Sequence, residues 1–258
     1  MKLFKMVIAA ACLFFLLPRS AGADNGFFLS RQNGAVFSGE VSGLIEKAWD
    51  EWQGSIVING IFVEGSCGRL SPGDVSGPVL GSRDILSRFD RSGKPRYYIL
   101  AVKAVADAVE HGMRLWQRGY SHDNIPFPRG ASCAYTLTPC ENVAVTVFSG
   151  SSTGDAYMAE KELYNFMLYR VPTYDEDALL MMRAAAAGIA DTFGKWKRSC
   201  SIVDIRASGG IAPRPAPMGT GPGPVRGARG GGGKLAGGSF DGENMYRVMM
   251  DVIEGRRT

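Results

Sequence analysis

An α+β fold is the expectation for this chain, and three observations carry it. Three stretches set apolar residues at helical spacing and end in tryptophan. Short runs rich in Ile and Val, bounded by turn residues, read as strands. Four cysteines follow an export leader, as in stapled secreted domains. The expected architecture is three to four amphipathic helices packed with a few short strands, two disulfides and diverged internal repeats.

The leader comes first. Lys2 and Lys5 precede the uncharged run Met6 to Leu17, Pro18 breaks it, and Ala21-Gly22-Ala23 offers the small residues a signal peptidase requires. Residues 1–23 are therefore read as a cleavable signal peptide, too short for the about 20 apolar residues of a bilayer span. Lys2, Lys5 and Arg19 leave with it, so a net charge of +4 falls to +1. A near-neutral body does not read as a nucleic-acid-binding domain. No later run suits a transmembrane helix, which leaves an exported protein of the periplasm or the extracellular space. Of its cysteines, Cys67, Cys133, Cys140 and Cys200 remain. Cys133 and Cys140 are expected to close a local loop. Cys67 and Cys200 are then expected to tie the early and late halves, at about 4–5 kcal/mol for so long a loop. No Cys-x-x-Cys or His-x3-His spacing asks for zinc, and no cofactor is expected.

Along the body (residues 24–207), Asp24 to Phe37 lacks periodicity and is expected to be loosely ordered. Ser42 is expected to cap a helix running to about Gln53. Ser55 to Val63 reads as a strand with Asn59-Gly60 as a bulge or turn inside it, and Ser71-Pro72-Gly73-Asp74 as a turn. From about Pro95 to Gly119, the residues Ile99, Val102, Ala106, Val109, Met113 and Trp116 make one helical stripe. A strand is expected over Val143 to Phe148 and a helix over about Asp155 to Tyr169, stopped by Pro172. Thr173-x-x-Glu176 fits a capping box for a helix to about Arg198, with Met182, Ala186, Ile189, Phe193 and Trp196 as its seam. The trios Ile45-Trp49-Trp52, Val109-Met113-Trp116 and Ile189-Phe193-Trp196 share one spacing and hold all four tryptophans, which suggests diverged duplication.

Residues 208–240 shift to Gly, Pro, Ala and Arg and are expected to form a flexible linker. Asp241 then caps a terminal helix (residues 241–258) whose Met245, Val248, Met249 and Val252 share a face that must dock on the body or a partner.

Candidate chemistry is sparse. His122 and Asp123, in a polar loop with Tyr120, Ser121 and Asn124, are the weak candidates for general-base work; His111 reads as a solvated helix residue. Asp175, Glu176 and Asp177 suit a helix N-terminus without any chemistry. Gly227 to Lys234 lacks the Ser/Thr that should follow the lysine of a phosphate loop. Arg214, Arg226, Arg229 and Lys234 stand in a segment without acids between Asp204 and Asp241 and offer contact to an anionic polymer. The chain is thus read as a non-enzymatic structural or assembly component of a cell envelope or secreted complex, with a protein partner or self-assembly implied. An exported hydrolase for cell-wall or carbohydrate material, acting around His122, is one alternative. A binding module for an anionic surface polymer is the other.

Overall fold

The computed structural model describes residues 31–65, 67–126, 140–143, 147–148, 151–171, 175–209 and 225–257. The expected leader, Cys133, Pro172, Thr173 and Arg214 lie outside them. The fold is α+β, with six helices and two antiparallel sheets among the described residues.

Helix α1 spans Arg31–Ser55, so the chain is helical well before Ser42. Gly34, Gly39 and Gly43 lower its propensity and hid it in the sequence. Packing overrides them: Phe37 is fully buried, edge-on to Tyr98 at 5.3 Å. Ser42 is interior to the helix and donates to the Gly39 carbonyl at 3.2 Å instead of capping. Four short strands follow: β1 (Val57–Ile58), β2 (Ile61–Gly65), β3 (Cys67–Leu70) and β4 (Val75–Ser76). The short helix α2 (Ser82–Leu86) leads to α3 (Arg96–Gly119), which buries Val102, Ala106, Val109, Met113 and Trp116 as its stripe required.

After α3 come β5 (Tyr120–Pro126), β6 (Cys140–Val143), β7 (Val147–Phe148) and β8 (Ser151–Ser152). A 3-10 turn at Asp155–Met158 opens α4 (Glu160–Arg170). Helix α5 (Glu176–Ser199) is capped by Asp175, which accepts from the Ala178 N–H at 2.9 Å, in place of the expected Thr173 box. Then follow β9 (Ser201–Val203), β10 (Arg206–Gly209), β11 (Val225–Gly231), β12 (Gly233–Ala236) and α6 (Gly242–Ile253). Asp241 caps α6 by accepting from Asn244 N–H at 2.8 Å. The apolar face of α6 docks on the body: Met245, Val248, Met249 and Val252 are buried. Gly188 of α5 permits this approach, because a Cβ there would lie 2.8 Å from Met249 Cγ.

The five-stranded sheet has the order β4-β1-β12-β9-β7, and the seven-stranded sheet β6-β10-β11-β2-β3-β5-β8. Three chain stretches run through both sheets: β1 into β2, β9 into β10, and β11 into β12. All three break at one level, and each break holds a residue in the left-handed region: Gly60 (φ 76°), Asp204 (φ 60°) and Gly232 (φ 75°). The result is a crease across the middle of the sheet. Asn59 pins it. Its side-chain oxygen accepts from the Gly232 N–H at 3.1 Å, its amide donates to Ser76 Oγ at 2.8 Å, and its backbone N–H donates to the Asp74 carbonyl at 3.2 Å.

The linker expected over 208–240 is corrected for residues 225–236, which form strands at the centre of both sheets. Composition misled because neighbouring strands supply the apolar surface. Ile58, Ile202 and Ile205 close over Gly233, where a Cβ would lie 2.9–3.4 Å from all three. The ladder partners also satisfy the backbone groups a linker would leave to water.

Two finer expectations are not met. Cys200 is a free thiol buried beneath the end of α5, so the Cys67–Cys200 bridge is not formed. Repeats are unsupported: the three Trp trios converge on one core. Trp49 and Trp196 lie 5.0 Å apart, Trp116 and Trp196 5.5 Å, and Trp49 stacks on Phe240 at 4.4 Å. A common spacing follows from the common burial of three helices, without duplication.

Two outcomes test this account. Gly60→Ala adds left-handed strain and a Cβ 2.7 Å from Asp74 Oδ1, whereas Gly232→Ala adds the strain in open space. Urea unfolding should therefore show a loss of about 1–2 kcal/mol for Gly232→Ala and a larger one for Gly60→Ala. The reverse order would contradict the pinned crease. At the α5–α6 seam, burial works to raise Asp191, but hydrogen bonds from Asn244 and Lys195 and the nearby Lys195 and Arg257 charges outweigh it and lower its pKa. A carboxyl with a lowered folded pKa stabilises above its unfolded value and loses that contribution as pH falls through the folded one. Asp191→Asn should flatten the acid limb of stability below about pH 4; a limb that superimposes on the parent's would remove Asp191 from the seam's electrostatics.

Candidate functional site

The seven-stranded sheet has two unlike faces. Ile61, Leu70 and Ile125 are fully buried on one of them. On the other, Phe62 is 48% exposed in the central strand β2. Register places Arg69 of β3 on one side of Phe62 and Arg229 of β11 on the other, and Ser208 of β10 beyond Arg229. Arg206 is the register partner of Gly231. Past the crease the face continues with Val57 and Lys234, which are register partners and both exposed. Arg226 lies at the register irregularity between Val225 and Ala228. Three of the four basic residues read from the sequence, Arg226, Arg229 and Lys234, thus fall on the consecutive strands β11 and β12.

His122 sits in β5 opposite Leu70, its Nδ1 2.8 Å from the carbonyl of Asp123. The Asp123 carboxylate turns away, to Arg69 Nε at 3.0 Å, with both side chains mostly exposed. The two weak catalytic candidates are therefore adjacent in sequence without forming a carboxylate–imidazole pair. Asp175 is used as a helix cap, and Glu176 and Asp177 occupy the first turn of α5.

His111 is not a plain solvated helix residue. Its ring stacks on Phe166 at 4.3 Å and meets Tyr157 edge-on at 6.0 Å. Burial, and secondarily the Arg114 charge, push its pKa below the usual value and favour the neutral ring. It borders a groove along α3, between α2 and α4, with a volume of about 360 Å³. Arg170 of α4 crosses this groove to Asp107 Oδ2, donating from Nε at 3.1 Å and from its terminal nitrogen at 2.9 Å. Lys103 donates to the same oxygen at 2.9 Å. Burial would raise the Asp107 pKa, but these bonds and charges hold it below the ordinary range. Glu110 is likewise held low, chiefly by the Ser82 N–H at 2.8 Å. Toward α2 the groove opens into a second hollow of about 310 Å³, bordered by Arg83, Arg91 and Lys103.

The sequence missed this groove because it depends on Asp107 and Arg170, 63 residues apart. It missed Phe62 for a different reason: Ile61-Phe62-Val63 is apolar at three successive positions, so an alternating strand must expose at least one of them. That signal was present.

Among the described residues no group of three His, Cys, Asp or Glu side chains is placed to hold a metal, and no helix is long and apolar enough to cross a membrane. Comparison of the chain with protein-family models, curated proteins and solved structures finds no match.

Burial pushes the Cys200 thiol up to about 12, so it is protonated and sealed at neutral pH. Iodoacetamide applied to the native protein should leave the Cys200 peptide unmodified, and full alkylation should require denaturant. Rapid native labelling at Cys200 would contradict its position in the core.

Proposed function

We propose that this chain is an exported, non-enzymatic component of a cell-envelope or secreted complex, and that it works by docking through the outward face of its creased sheet. The observation that supports this is Phe62. A large aromatic side chain left 48% exposed near the centre of a sheet offers about 1 kcal/mol of burial that the fold leaves unused. Aromatic residues flanked by arginines are the side chains that dominate protein–protein contacts. The helical body contributes rigidity, with its amphipathic faces turned inward onto one another. Export, with removal of residues 1–23, belongs to the same reading, as does a local Cys133–Cys140 disulfide in an oxidising compartment.

A second reading has its own observation. Arg69 and Lys234 are exposed, and Arg229 is a register partner of Phe62, so an anionic polymer lying along β11 and β12 would pass these positions. Phosphate-rich or carboxylate-rich polymers bind basic residues with steep salt dependence.

A photo-crosslinking residue at position 62, expressed in the native host, should give a discrete protein adduct. The same residue at position 36, where Val36 is 56% exposed on α1, should give none. Phe62→Glu should abolish co-migration with that adduct's partner while thermal unfolding stays unchanged. No adduct at position 62, together with indifference to Phe62→Glu, would overturn the docking reading. Retention on an anionic resin that falls steeply with salt and is lost in Arg69→Ala would assign the same face to a polyanion.

A further inference from the structure

The hollow between α2 and α3 gathers three cations, of which, among the described residues, the fold pairs only Lys103. Arg83, Arg91 and Lys103 border it, and Asp107 is the one acid among its lining residues. Asp107 Oδ2 already takes three charge-assisted hydrogen bonds, one from Lys103 and two from Arg170. Its charge is therefore committed to bracing α4 on α3. Among the described residues neither the Arg83 nor the Arg91 side chain finds a carboxylate or a hydrogen-bond acceptor. The other cations nearby are placed differently. Arg88 pairs with Glu51, Arg114 with Glu110, and Lys94 with Glu40 while lying over the Tyr98 ring at 4.8 Å.

We infer that this hollow binds a phosphate group, held between the guanidinium forks of Arg83 and Arg91 with Lys103 as a third positive charge. The argument is one of charge and shape. Arg83 and Arg91 bring two unpaired positive charges to a space of about 310 Å³ beside the Lys103–Asp107 pair, and a multivalent anion engages both guanidinium groups at once. Guanidinium presents a planar fork of donors that matches phosphate oxygens two at a time. Ser82 and Ser87 add polar lining, and Leu86 an apolar side chain. The site lies on the helical body and does not depend on the sheet-face reading, so either can fail alone.

The test uses the full mature chain. Thermal unfolding is followed against inorganic phosphate, pyrophosphate and a poly(glycerol phosphate), each compared with potassium chloride at matched ionic strength. The expected result is a saturable rise in Tm beyond that in chloride, larger for pyrophosphate than for phosphate. Arg83→Ala/Arg91→Ala should weaken the half-saturation about tenfold or more, as expected for losing charge-assisted hydrogen bonds. Arg83→Lys/Arg91→Lys, which keeps the charge but not the fork, should fall between. A response to pyrophosphate assigns the site to a small phosphorylated solute, and a response to the polymer alone assigns the same cations to an envelope phosphodiester. If chloride reproduces every shift, or the alanine double variant responds like the parent, the inference is wrong.

Discussion

Everything else in the molecule is positioned by the contact of four indole rings at the junction of α1, α3 and α5. Trp49, Trp116 and Trp196 are each no more than 1% exposed, and Trp52 only 3%. Aromatic pairs of this kind add about 0.5–1.5 kcal/mol each beyond the area they bury. The rings fill the space where the helices end, so the direction of each departing strand is set there. Ile56 and Ile58 leave α1, and Cys200 and Ile202 leave α5, from within the same buried volume. Two hydrogen bonds orient the cluster: Trp52 Nε1 donates to the Pro78 carbonyl at 3.1 Å, and Trp196 Nε1 to Gln53 Oε1 at 2.7 Å. The Trp49 and Trp116 N–H groups are buried without a partner, at about 1–3 kcal/mol apiece. That cost is tolerable only because each indole buries so much apolar surface, and it argues that shape at this position outweighs polarity.

The crease follows from the same junction. Strands that leave the core with Ile58 and Ile202 pointing inward must pass over a backbone with no side chain of its own, and Gly233 meets that need. Above it, the left-handed residues Gly60, Asp204 and Gly232 redirect all three strands together. A single bent strand would break its ladder. Three strands bending at one level keep their partners on both sides, with Asn59 bridging the gap by side-chain bonds. The glycine content that resembles a linker is thus a condition for close strand packing.

This explains what was legible in the amino-acid order. Helices α3, α5 and α6 were readable because their apolar stripes coincide with the faces they bury, and the Asp241 cap of α6 was readable as well. The Ser71–Asp74 turn was readable from local rules alone, with the Asp74 N–H donating to the Ser71 carbonyl at 3.2 Å and Gly73 at φ 92°. The first turns of α1 were not, since three glycines argue against a helix that tertiary packing of Phe37 and Val41 enforces. Strands β11 and β12 were hidden because their apolar partners come from distant residues, such as Ile61 opposite Gly230 and Ile58 opposite Gly233. Counting cysteines treated Cys200 as one of a pair, whereas its position at the end of α5 makes it a core residue. For the sites, residue type pointed to His122 and Asp123, and spatial arrangement separated them.

Function in such a molecule is best sought where interactions remain unspent. His111 is stacked between aromatic rings, and Asp123 is held by Arg69. Asp107 and Glu110 are each saturated by donors, and Asp191 is tied into the α5–α6 seam. Each of these five residues is engaged in holding the fold. What the fold leaves unused is of another kind: an exposed phenyl ring near the middle of a sheet face, and two guanidinium groups beside a hollow. The phenyl ring is 48% exposed, and among the described residues neither guanidinium has a carboxylate partner. Groups with that profile gain only when something else arrives, and that is the physical ground on which the docking and anion-binding proposals stand.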